Sequence, residues 1–265
     1  MSHDFLKKLS CLVLDMDGTV YLGNRPIGDM AGTLAELRRR GIRLCYFTNN
    51  SSKTAEDYVG KLTSLGLYDG RDTVYTSGMA TVSYLLARYP GRRVYLLATP
   101  TVTETFREAG VPLVAEGEEA DIVVLAYDTT LTFPRLRHAN ELLSRGALYI
   151  ATHPDLVCPT EGVPMPDVGS FIRLLESSSG RLPDLVIGKP NALAGEAILR
   201  AVGVAAEETA MVGDRLYTDI RFGKNAGFHS ILVLSGETTE EMLKGSDVRP
   251  DLVLSDLHAL LPLLD

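Results

Sequence analysis

The stretch Leu12-Val13-Leu14-Asp15-Met16-Asp17-Gly18-Thr19-Val20 constrains this chain more than any other. It is a short apolar run that ends in two carboxylates and a glycine. A Leu/Val run of this length reads as a strand buried on both faces, the kind found in parallel sheets. On an extended backbone alternate side chains share a face, so Asp15 and Asp17 can approach one point. Gly18 permits a sharp turn there. In an open α/β sheet, ligands sit beyond the carboxyl ends of the strands. Two acids at such an end can hold a hard cation through oxygen. One can attack while the other manages protons.

The rest of the chain repeats the pattern of apolar strand followed by helix. Asp29 to Arg40 reads as a helix ended by Gly41, and Ile42 to Phe47 as a strand that exits into Thr48-Asn49-Asn50-Ser51-Ser52. Val74-Tyr75-Thr76-Ser77-Gly78 leads into a helix near Met79, and further strands are expected at Val94 to Leu97, Ile122 to Ala126, Leu148 to Ala151, Leu185 to Ile187, Thr209 to Asp214 and Ile231 to Leu234. Helices are expected between them, among them Asn191 to Ala201, capped by Asn191, and Leu216 to Ala226. This alternation argues for a parallel α/β sheet. Thr152 to Asp167 carries Pro154, Pro159, Pro164 and Pro166 and reads as a stiff functional loop.

Composition removes several classes of function. The chain has 265 residues, and its 45% hydrophobic content is enough for a substantial core. Its formal net charge is -8 and no basic stripe occurs, which argues against nucleic acid as a partner. Nothing resembles a membrane span. Cys11, Cys45 and Cys158 are far apart and lack metal-ligand spacing. The start, with Asp4, Lys7 and Lys8, has no apolar segment of signal-peptide kind, so a reducing, cytoplasmic setting is expected. No G-x-G-x-x-G follows the first strand, which argues against a nicotinamide dehydrogenase.

Four strand exits carry chemistry: Asp15/Asp17, Thr48/Asn49, Lys189 and Asp214/Asp219. In a parallel sheet these exits share one edge, so residues far apart in sequence can converge. The set fits phosphoryl transfer. Mg²⁺ held by Asp15, Asp214 and a backbone oxygen near Asp17 would mask the charge of a phosphorus centre. Lys189 supplies a point charge and Thr48 hydrogen bonds. A lysine about 4 Å from an anion in a partly screened site gains roughly 4 kcal/mol. Asp15 must stay ionised as nucleophile, while Asp17 must carry a proton to the leaving oxygen and later take one from water. Two other readings are a phosphotransferase or mutase on the same fold and a non-turnover, phospho-accepting signalling module. The large segment between the second and third exits disfavours the latter.

Asp15-Met16-Asp17-Gly18-Thr19 resembles the first motif of the haloacid dehalogenase superfamily of phosphatases. Thr48-Asn49-Asn50, Gly188-Lys189-Pro190 and Gly213-Asp214-Arg215-Leu216-Tyr217-Thr218-Asp219-Ile220 resemble its second, third and fourth, in family order. The inserted α/β segment is similar in place and size to the cap of the NagD-like, nitrophenylphosphatase-like subfamily. The resemblance implies a Rossmann-like parallel-sheet core over 1–78 and 185–265 with an inserted α/β cap over 79–184. It implies Asp15 as nucleophile, Asp17 as acid/base, and Mg²⁺ on Asp15, the Asp17 backbone and Asp214. Thr48, Asn49 and Lys189 would bind phosphate and Asp219 would support the metal shell. The implied partner is a small phosphate ester such as a sugar phosphate or nucleoside monophosphate, and family analogy points to a homodimer through the cap. His153-Pro154-Asp155 stands where the family's cap loop often has Asn-Pro-Asp, which assigns His153 and Asp155 to substrate choice.

Overall fold

The computed structural model describes residues 4–158 and 162–265, and Pro159 of the proline-rich loop lies outside them. The chain divides into two compact units: residues 1–48, 56–75 and 189–265, and residues 49–55 and 76–188. The first is called the core unit here and the second the inserted unit.

The core unit holds a six-stranded sheet. Its order is Leu252–Leu254, His229–Val233, Thr209–Gly213, Cys11–Leu14, Arg43–Thr48 and Thr73–Thr76. Cys11–Leu14 lies inside it and pairs parallel with Thr209–Gly213 on one side and Arg43–Thr48 on the other. All four of its residues are fully buried, as expected of an apolar run covered on both faces. The chain leaves this strand toward one side and returns much later on the other. That reversal opens a crevice at the carboxyl ends of the three strands. Leu14 stands opposite both Val212 and Tyr46, so Asp15, Thr48 and Asp214 all emerge within two residues of one level.

The inserted unit has a four-stranded parallel sheet, Leu185–Val186, Leu148–Ala151, Ile122–Leu125 and Val94–Leu97. Alternate strand residues Tyr95, Leu97, Val123, Leu125 and Tyr149 pack with Leu142, Val168, Ile172 and Leu175 of the helices Phe133–Ser144 and Val168–Ser179. The two sheets explain why so long a chain divides: each buries its own core.

Local departures from the sequence reading have physical causes. Leu185–Val186 pairs with Ile150 and Ala151 in the inserted unit, not with the core sheet. Its apolar run is the same in either place, and pairing is a long-range choice. Residues 49–55 likewise group with the inserted unit. The proline-rich loop contains a two-residue antiparallel ladder, Val157–Cys158 with Met165–Pro166, which tolerates Pro166 as a short edge. The segment expected as a helix from Leu216 opens with a wide π turn, Leu216–Ile220, before the α-helical Arg221–Asn225. The helix at Leu193–Val202 begins after Ala192 with no side-chain cap, so Asn191 is not its N-cap. The last helical segment, Leu257–Leu263, is a 3₁₀ helix containing Pro262.

In the inserted unit Gly169, at the start of the Val168–Ser179 helix, lets the Pro154–Asp155 backbone lie directly on the helix; its N–H donates to the Asp155 carbonyl at 2.8 Å. A Cβ there would overlap backbone atoms that have little room to yield. Gly169→Ala is therefore expected to lower stability by about 1–3 kcal/mol, read as a fall in the midpoint of thermal or urea unfolding.

Candidate functional site

Asp15, Asp214 and Asp219 converge, each offering a carboxylate oxygen within 4.8 Å of the others'. Lys189 enters the same cluster. Its Nζ lies 2.5 Å from Asp15 and 2.7 Å from Asp219, and it also donates to the Phe47 carbonyl at 3.3 Å. Lys189 is 3% exposed, Asp214 3% and Asp219 1%. Burial alone would lower the lysine's pKa, but Asp15 and Asp219 outweigh it and raise it. The ammonium thus stays charged.

The local sequence makes room for these acids. Gly18 turns with φ +89°, and a Cβ there would overlap the Asp214 carboxylate. Gly213 leaves space for the Asp219 side chain, which the π turn folds back so that its Oδ2 accepts from the Arg215 N–H at 3.1 Å. Asp214 Oδ2 accepts from the Glu237 N–H at 2.7 Å. Asp214 Oδ1 is buried with no hydrogen-bond partner. Burial first, then Asp15 and Asp219, pushes the Asp214 carboxyl up to about 7, against the opposing pull of the Glu237 amide and Arg215. Asp219 is also raised by burial, against the pull of Lys189.

Asp17 stands apart from this cluster at an exposed position. Gly18 N–H donates to the Tyr21 carbonyl at 2.8 Å and closes the turn that carries it. Desolvation raises the Asp17 carboxyl above its ordinary value, with Asp15 adding to that effect; Lys61 and a hydrogen bond from the Gly23 backbone pull it down. A carboxyl raised in this way is suited to holding a proton. Thr48 is half-buried at the end of its strand in the same unit.

Asn49 belongs to the inserted unit, where its Nδ2 donates to Asp155 at 3.1 Å. The Ser77 hydroxyl donates to the Asn49 carbonyl. His153 is fully buried. Its Nε2 donates to Asp167 at 3.0 Å, and its Nδ1 lies 3.0 Å from the Thr152 hydroxyl and 3.4 Å from that of Ser77. Ser77, His153 and Asp167 are the residue types of a nucleophilic triad, but all three are buried and Ser77 gives its proton to a carbonyl. The set is a structural knot. The His153 ring is fully enclosed by these partners. Asp155 is half-buried against Asn49.

Sequence reasoning did not find Arg215 and Glu237. Arg215 Nε lies 2.8 Å from Glu237, and the guanidinium also interacts with Asp15 and Asp214. The signal was present: Ile231 to Leu234 followed by Ser235-Gly236-Glu237-Thr238 is one more strand ending in polar residues.

The profile of the haloacid dehalogenase-like hydrolases matches residues 12–112, and a second, described as HAD-hydrolase-like, matches residues 186–260. The 5′-nucleotidase YutF of Bacillus subtilis is 32% identical over 257 residues, covering 97% of this chain and 99% of that protein. The chain belongs to the haloacid dehalogenase-like hydrolases. An acid sugar phosphatase of Staphylococcus aureus is 33% identical over 253 residues, covering 96% of this chain and 97% of its own. The crystal structure of the 4-nitrophenylphosphatase of Thermotoga maritima superposes with a TM-score of 0.93 at 45% identity, over 99% of this chain and 100% of that one. This haloacid dehalogenase-like hydrolase is a phosphatase of the NagD-like kind. Among its described residues no helix is long and apolar enough to cross a membrane.

The raised Asp214 carboxyl makes a signed prediction. An unfolded aspartate titrates near about 3.9, so between that pH and about 7 the folded protein binds the extra proton. Stability without metal must then fall as pH rises through this window. Asp214→Asn should raise the melting temperature of the metal-free protein by several degrees at pH 8 and leave it nearly unchanged at pH 4. Differential scanning calorimetry at the two pH values checks this.

Proposed function

We propose that this phosphatase hydrolyses a small phosphate monoester, such as a sugar phosphate or a nucleoside monophosphate, with Mg²⁺ as cofactor and Asp15 as nucleophile. The observation that carries the reading is the convergence of Asp15, Asp214 and Asp219 at the carboxyl edge of the core sheet, with Lys189 bridging Asp15 and Asp219. The names of the curated relatives, a 5′-nucleotidase and an acid sugar phosphatase, fall within the same substrate range.

The donor set fits a hard divalent cation. Its ligands are all oxygen, the preference of Mg²⁺. Three carboxylates gathered within 4.8 Å of one another form an acidic cluster that a divalent cation would relieve. The buried Asp214 Oδ1 lacks a partner that a cation would provide. Asp15, Asp214 and the Asp17 backbone oxygen would hold the ion, with Asp219 supporting them. When bound, it supplies Lewis acidity that masks the charge of the phosphoryl oxygens.

The remaining roles belong to this chain's own side chains. An Asp15 oxygen attacks phosphorus as the ester P–O bond breaks, giving an aspartyl-phosphate. Asp17 gives its proton to the departing oxygen. As a carboxylate it then takes a proton from the water that opens the acyl phosphate and restores Asp15. Lys189, bridging Asp15 and Asp219, orients the nucleophile and offsets charge on the transferred group. Thr48 donates a hydrogen bond to phosphate. For Asn49 the same role is supported by its place in the second motif.

Asp15→Asn should lower kcat on 4-nitrophenyl phosphate by about a thousand-fold or more, and Lys189→Met by about a hundred-fold. Chelation of divalent metal should silence the wild type, with recovery on adding Mg²⁺. Steady-state release of inorganic phosphate measures all three. Activity of Asp15→Asn near the wild-type rate would remove the nucleophile assignment. A panel of sugar phosphates and nucleoside monophosphates, scored for free phosphate against phosphorylated product, separates hydrolysis from phosphotransfer.

A further inference from the structure

The segment Ser235–Thr238 lies outside the four motifs yet is bound to the site at three points. The Ser235 hydroxyl donates to the Gly18 carbonyl at 2.8 Å, the Glu237 N–H to Asp214 Oδ2 at 2.7 Å, and the Thr238 N–H to the Asp214 carbonyl at 3.2 Å. Gly236 lies so close that a Cβ on it would overlap the Asp214 carboxylate.

The side chain of Glu237 turns the other way and is gripped twice. Its Oε2 lies 2.8 Å from Arg215 Nε, and its Oε1 accepts from the Tyr217 hydroxyl at 2.6 Å. Arg215 and Tyr217 stand one and three residues after Asp214. A ring therefore closes: the chain leaving Asp214 holds the Glu237 carboxylate, and the Glu237 amide holds Asp214. The pair is partly exposed, Arg215 at 25% and Glu237 at 39%, so as an ion pair alone it contributes little. Its consequence is orientational. With Oδ2 tied to the amide, the Asp214 carboxyl cannot rotate, and Oδ1 is left buried with no protein partner.

We propose that Glu237 is a positioning residue of the metal site: the Arg215–Glu237–Tyr217 clamp holds the Ser235–Thr238 segment against Asp214 and so presents Asp214 Oδ1 to a divalent cation. This rests on the reading of Asp214 as a metal ligand. A partner that orients a ligand in this way sets metal affinity without touching the ion. The reaction's proton steps do not pass through it.

Calorimetric titration of metal-free protein with Mn²⁺ alone tests the clamp apart from catalysis. Asp214→Asn should abolish binding. Glu237→Ala should weaken it about ten-fold or more. Tyr217→Phe changes no charge and should weaken it about three-fold, through loss of one hydrogen bond. Glu237→Gln, which keeps an acceptor for Tyr217, should fall between wild type and Glu237→Ala. Because the clamp acts as one unit, Tyr217→Phe in the Glu237→Ala background should add nothing. Binding by Glu237→Ala and Tyr217→Phe within two-fold of wild type, with Asp214→Asn inactive in binding, overturns the clamp alone. Wild-type affinity in Asp214→Asn overturns the metal-ligand reading and the clamp with it. Should Glu237→Ala fail to fold by circular dichroism, an unchanged affinity in Tyr217→Phe overturns the proposal by itself.

Discussion

The burial of carboxylates close to one another is the constraint around which the core unit is organised. Asp15, Asp214 and Asp219 share one small space, and burial, with the neighbouring acids adding to it, raises the Asp214 and Asp219 carboxyls. One ammonium, Lys189, relieves part of it. The backbone is shaped to permit the crowding: Gly18, Gly213 and Gly236 each stand where a Cβ would strike a carboxyl group or the chain carrying it. The fully buried Cys11–Leu14 strand, paired on both sides, carries Asp15 into this cluster.

The inserted unit follows a different logic. One chain of its buried polar groups is linked by hydrogen bonds. Tyr127 N–H donates to Ser51, Ser51 lies 2.9 Å from Thr152, Thr152 lies 3.0 Å from His153, and His153 reaches Asp167. Satisfied networks of this kind add rigidity rather than reactivity. Three of its members lie near points where the chain passes between units: Ser51 and Ser77 close after residues 48 and 75, and Thr152 through its carbonyl bond to Gly188. The core unit thus gathers its carboxylates at one edge, while this chain of the inserted unit is hydrogen-bonded within itself.

Much of the site was legible because parallel sheets obey a simple geometric rule. Asp15, Thr48 and Asp214 end neighbouring strands, so each can be assigned to one edge before any coordinate is known. Lys189 follows a strand of the other sheet yet reaches the same cluster, which no rule of strand exits anticipates. His153 lies in a proline-rich context that reads as a loop and gives no sign of burial. Asp167, fourteen positions later, turns it inward. Glu237 carries no motif signal, since its partners Arg215 and Tyr217 lie about twenty residues earlier in the chain.

The amino-acid sequence by itself determined the alternating α/β architecture, the family, and the residue types available at each strand exit, because hydrophobic period, glycine placement and short motifs are local properties. Tertiary structure alone decided which sheet takes Leu185–Val186, which oxygen of Asp214 stays without a protein partner, and that His153 is sealed while Glu237 grips the site's edge. Those outcomes depend on contacts between distant segments, whose energies are set by burial and by charges brought within a few ångströms, and neither can be read from neighbours along the chain.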